Sequence, residues 1–204
     1  MRFPSTAALV VAIPLFSIAI SAQTAKVNAP APDFTATDSH GHTQALDQYR
    51  GKYVVLEWHN QGCPFTRKHY ESGNMQNLQK EWTAKGVVWF TVISSPPGAQ
   101  GYVTPTQEND YVAKMHAAPS AALLDPDGKL GRLYSARTTP DMFIIDPQGK
   151  LIYSGAIDDR PTADVEDIKG ADNFVSDALS AAMAGKPVAN PYTRAYGCSV
   201  KYRN

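Results

Sequence analysis

Two apolar runs govern what this chain can fold into. Tyr53-Val54-Val55-Leu56-Glu57-Trp58 and Gly86-Val87-Val88-Trp89-Phe90-Thr91-Val92-Ile93 are almost unbroken in β-branched and aromatic residues. A strand with one wet face alternates polar with apolar; a run that is apolar on both sides of the pleat suits a strand covered on both faces. Between the runs, the stretch after Cys63-Pro64 carries Lys68, Met75, Leu78 and Trp82 and is expected to form one long helix. Pro64 stands where a first helical turn has no use for its N–H. Strand, helix and strand in this order make a βαβ unit with a right-handed crossover and parallel strands.

The flanking sequence extends that unit into a mixed sheet. Asn28 to Phe34, with Pro30 and Pro32, is expected to be extended and to lie across the domain surface. Phe34–Thr37 and Thr43–Ala45 bracket the turn-rich Asp38-Ser39-His40-Gly41-His42 as a small N-terminal hairpin. Ser94–Thr106 reads as a loop, Gln107–His116 as a helix, Ala121–Leu124 as a strand and Lys129–Ser135 as a helix. Met142–Asp146 and Leu151–Ser154 flank Pro147-Gln148-Gly149, an antiparallel hairpin. Phe174, Val175, Leu179 and Met183 give 171–184 a helical face, which Gly185-Lys186-Pro187 terminates. The expected class is α/β, a central mixed sheet flanked by helices.

Composition narrows the partner. The 204 residues are 43% hydrophobic, enough for one domain with a core of its own. Lys plus Arg and Asp plus Glu balance at 19 each, which leaves no basic footprint for nucleic acid or an anionic membrane. A small molecule or another protein is the expected partner. Met1-Arg2 precedes the apolar run Ala7–Ile20, which Pro14 interrupts and small residues follow. The run falls short of the roughly 20 residues of a spanning helix. It reads as a signal peptide over 1–22, cut between Ser21 and Ala25, with the domain over 23–204; an uncleaved anchor is the alternative. Either implies a periplasmic or secreted protein, in a compartment where disulfides persist.

Only two cysteines, Cys63 and Cys198, are present. Cys63 heads the expected helix, where unpaired N–H groups and the helix dipole favour a thiolate over a thiol. The alternative is a cysteine acting as an inert small hydrophobe. Thr66 takes the place of the second cysteine of a Cys-X-X-Cys motif, so this helix cannot close a local disulfide. His59 and His69 bracket Cys63, and His40, His42 and His116 lie elsewhere, in no recognised metal spacing. Neither a metal nor a dissociable cofactor is expected, copper at Cys63 and His59 being the weaker alternative.

Several ordered pieces carry a resemblance: Pro32-Asp33-Phe34, Gly51-Lys52-Tyr53-Val54-Val55-Leu56, Gly62-Cys63-Pro64-Phe65, Thr139-Pro140-Asp141-Met142-Phe143-Ile144-Ile145-Asp146 and Gly197-Cys198-Ser199-Val200-Lys201. From about Ala29 onward the chain resembles the thioredoxin superfamily, in its peroxiredoxin-like branch related to alkyl hydroperoxide reductase and thiol-specific antioxidant proteins. The resemblance implies a thioredoxin-like fold and a thiol oxidoreductase in which Cys63 attacks a disulfide or a small peroxide. Its partner would be a thiol or disulfide protein or the peroxide itself. It further implies a buried acid at Glu57 assisting proton transfer, and a cis bond at Thr139-Pro140 facing the cysteine and contacting a partner. Pro64, Phe65 and Thr66 would border the substrate. A solvated acid at Glu57 and an ordinary trans-proline at Pro140 are the alternatives.

Cys198 stands open to two readings. It would resolve an oxidised Cys63 by forming a disulfide across the fold, or it forms a permanent bridge, worth about 5 kcal/mol in the chain-entropy model, in a non-catalytic scaffold. The chain also departs from the peroxiredoxin pattern. Leu56 and Asn60 occupy the positions of the proline and of the peroxide-holding hydroxyl residue, and Pro140 that of the arginine, with Arg137 three residues earlier as a substitute. Peroxide chemistry needs positioned donors; thiol–disulfide exchange asks less of a site.

Overall fold

The structure, a computed structural model, describes residues 24–203. The expected leader over 1–22 lies outside them. Chain order is β1 (Thr35–Asp38), β2 (Thr43–Ala45), β3 (Val54–Trp58), α1 (Pro64–Glu71), α2 (Asn74–Ala84), β4 (Val88–Ile93) and α3 (Pro105–Lys114). There follow β5 (Ala121–Leu124), α4 (Lys129–Tyr134), β6 (Thr138–Thr139), β7 (Asp141–Ile145), β8 (Leu151–Gly155), α5 (Phe174–Met183) and β9 (Cys198–Ser199). Seven strands form one sheet in the order β2-β1-β5-β4-β3-β7-β8, and β6 and β9 form a second, two-stranded one. Strands β3, β4 and β5 are parallel; the pairs β1–β2, β1–β5, β3–β7 and β7–β8 are antiparallel. The fold is thioredoxin-like, with the hairpin β1–β2 added at one edge.

The unbroken apolar character of β3 and β4 has its reason in the two cores on either side of the sheet. Val54, Leu56 and Trp58 join Phe90, Val92, Phe34, Tyr134 and Phe143 on one face. Val55, from the opposite side of the pleat, joins Trp89, Met142, Ile144, Tyr70, Trp82 and Leu179 on the other. The second face is covered by α1, α2 and α5, and Glu57 belongs to it by the same alternation.

Three sequence expectations need correction. The single helix after Cys63-Pro64 is two helices, because Gly73 adopts φ of +76°, a left-handed conformation that ends α1 and opens α2. The segment 28–34 does not simply cross the surface. Asn28 and Ala31 N–H groups donate to the Leu151 and Gly149 carbonyls, and Ala31 and Phe34 are buried; Phe34 meets Phe90 and Tyr134 edge-on. The third helix starts at Pro105 rather than Gln107. Thr104 caps it: its hydroxyl accepts from the Gln107 N–H, while the Gln107 side chain accepts from the Thr104 N–H at 2.8 Å.

Candidate active site

The end of β3 runs into a tight turn that delivers Cys63 to the head of α1. Asn60 holds this turn: its side-chain oxygen accepts from the Gly62 N–H at 2.9 Å, and its carbonyl accepts from the Cys63 N–H at 2.9 Å. Its amide also donates to Gln100 at 2.9 Å, pinning the loop before α3. The residue at the position of the peroxide-holding hydroxyl therefore works as a turn-former. Cys63 is the N-cap of α1 and Pro64 its first residue. Pro64 is exposed, Phe65 half-buried and Thr66 buried.

The sulfur of Cys63 is fully buried and donates to the Thr139 carbonyl at 3.0 Å. The Thr139–Pro140 peptide is cis. Strand β9 pairs antiparallel with β6, Cys198 opposite Thr139 and Ser199 opposite Thr138, and the Val200 N–H donates to the Arg137 carbonyl at 2.9 Å. Gly197 makes this approach possible. At φ of +140°, a Cβ there would come within 2.1 Å of the Thr139 carbonyl oxygen. Cys63 and Cys198 are thus neighbours, and both are free thiols.

Their environments pull the two thiols apart. Burial alone would raise Cys63; the Cys198 side chain, the Thr139 hydroxyl and the backbone N–H groups of Thr66 and Cys198, all turned towards the sulfur, outweigh it, and the thiol is held below its usual value. The Thr66 N–H faces the sulfur without closing a full cap bond. The Thr139 carbonyl works the other way, favouring the protonated form that donates to it. Cys198 is pushed up to about 11, first by burial and then by the hydrogen bond and charge of Cys63. The hydroxyls of Thr66 and Thr139 are buried, and neither closes a hydrogen bond of regular geometry.

Glu57 is buried in the α1–α2 core. It accepts from the Tyr70 hydroxyl at 2.8 Å, the Trp89 indole at 2.8 Å and the Gln79 amide at 3.1 Å. Burial pushes it up to about 7 against those three donors. None of its hydrogen bonds goes to Cys63. His59 Nδ1 stands 3.8 Å from Glu57 without an ion pair, because burial pushes the ring down to about 3 and keeps it neutral. Arg137 is exposed and lines, with Thr138, Asp141 and Arg194, a cavity of about 460 Å³. Its backbone N–H is held by the Asp141 carboxylate at 3.0 Å, and its side chain makes no hydrogen bond at the Cys63 sulfur. Among the described residues no group of three or more His, Cys, Asp or Glu is arranged to hold a metal ion.

Two buried groups escaped sequence reading. Glu108, on a helix face that looks polar, is buried with neither oxygen hydrogen-bonded, and burial followed by the Glu57 charge pushes it up to about 7. Asp158 is buried between Lys68, His69 and Tyr196. Nothing in the local sequence marks either.

The model of the AhpC/TSA family matches residues 27–154. The chain belongs to the AhpC/TSA family. The match takes in Cys63 and Thr139-Pro140 and stops before the Cys198 tail. Among curated proteins, this family member is 25% identical over 134 residues to a probable glutathione peroxidase 8-B of Xenopus laevis, covering 58% of the chain and 62% of the relative. It thus spans about three fifths of that relative's length. Two solved structures share nearly the whole fold. A hypothetical protein from Sinorhizobium meliloti matches with TM-score 0.75 and 22% identity over 89% of the chain and 97% of the relative. An uncharacterized protein from Geobacillus kaustophilus matches with TM-score 0.73 and 24% identity over 87% and 93%. A putative thiol:disulfide interchange protein DsbE from Chlorobium tepidum matches with TM-score 0.52 and 24% identity over 64% and 85%. The family match, with the shared fold, makes the chain a peroxiredoxin-like member of the thioredoxin superfamily.

Proposed function

We propose that this protein is a thiol-dependent oxidoreductase in which Cys63 is the nucleophile and Cys198 the resolving cysteine. The observation that carries the reading is the β6–β9 pairing, which sets Cys198 opposite Thr139, the residue whose carbonyl accepts from the Cys63 sulfur. The opposed shifts of the two thiols support it. At neutral pH the buried sulfur is the better source of thiolate, while its neighbour keeps its proton.

Burial of Cys63 favours a small oxidant, a hydroperoxide or a low-molecular-weight disulfide. With a hydroperoxide, the Cys63 thiolate attacks one peroxide oxygen, the O–O bond breaks, and the alcohol leaves with the proton the thiol had shed. Cys63 is then a sulfenic acid. The Cys198 sulfur attacks it, an S–S bond forms, and water departs with the Cys198 proton. An external thiol reopens the disulfide at the partly exposed Cys198 sulfur, and Cys63, the lower of the two in pKa, leaves as thiolate. A second external thiol releases Cys198, so two thiols are oxidised per peroxide reduced. With a small disulfide, the first step expels one of its halves as thiolate and Cys198 displaces the other.

The remaining roles follow from position. Thr139 brings a buried hydroxyl and Thr66 a backbone N–H to the sulfur, in place of the hydroxyl that Asn60 replaces. Pro64 and Phe65 form the accessible rim, and Arg137, exposed at the cavity it lines with Thr138 and Asp141, is the side chain that would take the part of the family's arginine. Glu57 acts on proton balance through the α1–α2 core rather than by touching the sulfur. We read 1–22 as an export signal, which N-terminal sequencing of the secreted protein tests. The central test is mass spectrometry of alkylated protein before and after one equivalent of hydrogen peroxide or a small disulfide. A Cys63–Cys198 disulfide that forms and is reversed by thiols is the expected result. A Cys63 that neither reacts nor pairs returns the protein to the scaffold reading.

A further inference from the structure

Cys198 lies on a tail without a helix of its own, and the sheet contact that brings it to Thr139 is only two residues long. Two residues upstream the tail is fastened far more deeply. Tyr196 donates its hydroxyl to Asp158 Oδ1, and the same hydroxyl lies 3.3 Å from His69 Nε2. The other Asp158 oxygen, buried and without a hydrogen bond, faces Lys68 Nζ at 3.6 Å. Lys68 Nζ in turn donates to the Arg160 carbonyl at 2.6 Å and sits 5.5 Å from the centre of the Tyr196 ring. Phe65 meets that ring edge-on, their centroids 6.0 Å apart. Lys68 and Asp158 are essentially excluded from solvent, at 1% and 2% exposure.

A buried ion pair often does little for stability in comparison with apolar packing, and in some proteins its use is to fix one arrangement over others. Here Phe65, Lys68 and His69 belong to α1, the helix that Cys63 caps. One helix therefore bears the nucleophile at its head and grips the partner cysteine's tail along its flank.

We propose that the buried Lys68–Asp158 pair, with Tyr196 hydrogen-bonded to it, is a positioning unit that sets Cys198 against Cys63 for the disulfide-forming step. The inference rests on the proposed function, since a Cys198 that never pairs with Cys63 needs no positioning. The unit touches neither the oxidant nor the reacting sulfurs. Its effect falls on how often Cys198 stands within reach of an oxidised Cys63, not on the oxidation of Cys63 itself.

Tyr196→Phe separates these steps, because it deletes the hydroxyl while keeping the ring against Phe65 and Lys68. Losing one hydrogen bond to a buried carboxylate is expected to slow closure of the Cys63–Cys198 disulfide by about tenfold. The same factor makes the disulfide easier to reduce by roughly 30 mV. The rate at which Cys63 is first oxidised stays unchanged, and external thiols trap the sulfenic acid more often. Asp158→Asn, which removes the acceptor's charge and keeps its shape, gives the same split independently. If the wild type closes its disulfide and both variants close it equally fast at an unchanged potential, the positioning role is wrong. Equal slowing of Cys63 oxidation and closure also overturns it, since the effect is then a general distortion. A wild type that forms no Cys63–Cys198 disulfide overturns the proposed function instead.

Discussion

The two halves of the site are built by different means. Cys63 stands on the rigid part of the fold: β3 is buried on both faces, the Asn60 turn is hydrogen-bonded at both ends, and α1 begins at the sulfur. Cys198 stands on a tail held by a two-residue strand, a glycine with no room for a side chain, and one tyrosine sunk onto a buried ion pair. The first half lies within the span matched by the family, and the second outside it. In the proposed mechanism, chemical reactivity is thus lodged where the backbone is over-determined, and the step that needs motion where a few contacts decide. Re-reduction at Cys198, as proposed, requires that sulfur to be reachable, which a tail permits and a core helix does not.

That contrast can be broken most sharply at the sulfurs. Cys63→Ser is expected to bring thiol-dependent turnover down to background. Cys198→Ser leaves the first oxidation of Cys63 intact but yields no intramolecular disulfide. Quenched-flow alkylation followed by mass spectrometry distinguishes the two, and equal behaviour would erase the division of labour. The next effect is on the tail's seat. Gly197→Ala puts a methyl group into the Thr139 carbonyl and forces a left-handed φ on a residue that disfavours it. A loss of about 2 kcal/mol is expected, with amide exchange rising in 197–200 and not in β3; uniform exchange across both regions would contradict the separation.

A pH titration sharpens the comparison further. Cys63 should be alkylated through a midpoint below the ordinary thiol value of 9.0, and Cys198 through one near 11. Coincident midpoints would remove the asymmetry on which the leaving-group argument depends. The last effect concerns the core behind Cys63. Glu57 has a folded-state pKa of about 7 against an ordinary 4.5, so the folded state keeps a proton that the unfolded chain gives up. Stability is therefore greatest below about pH 4.5, is lost progressively as pH rises towards 7, and levels off above it, the full loss being about 3 kcal/mol. Glu108 and Asp141, both raised to about 7 by burial, add to the same slope. Glu57→Gln is expected to flatten the decline of Tm between pH 5 and 8, and an unchanged slope would place the titration elsewhere.

Much of the architecture was legible because it depends on local periodicity. The apolar runs at 53–58 and 86–93 identify strands with two covered faces, and Cys63-Pro64 marks a helix start whatever surrounds it. Gly73 was legible too, but a lone glycine inside an apolar spacing looks like a tolerated residue until its φ is known. The site divides along the same line. Cys63 announces itself by a capping position that the sequence displays. Glu57 was recognisable as a candidate only through the resemblance to thioredoxins, yet its engagement with Tyr70, Gln79 and Trp89 requires three elements to be packed together.

The sequence by itself determined the class of fold, the chain order of the seven strands of the main sheet and, apart from the break at Gly73, of the helices, and the residue to suspect first. Those follow from rules that act within a helical turn or along one strand. Only the tertiary structure decided that Cys198 meets Cys63 and that Tyr196 reaches Asp158 and Lys68. Each of these joins positions dozens of residues apart. Their meeting is set by how the faces of the sheet and α1 bury their side chains, and no local pattern encodes that outcome.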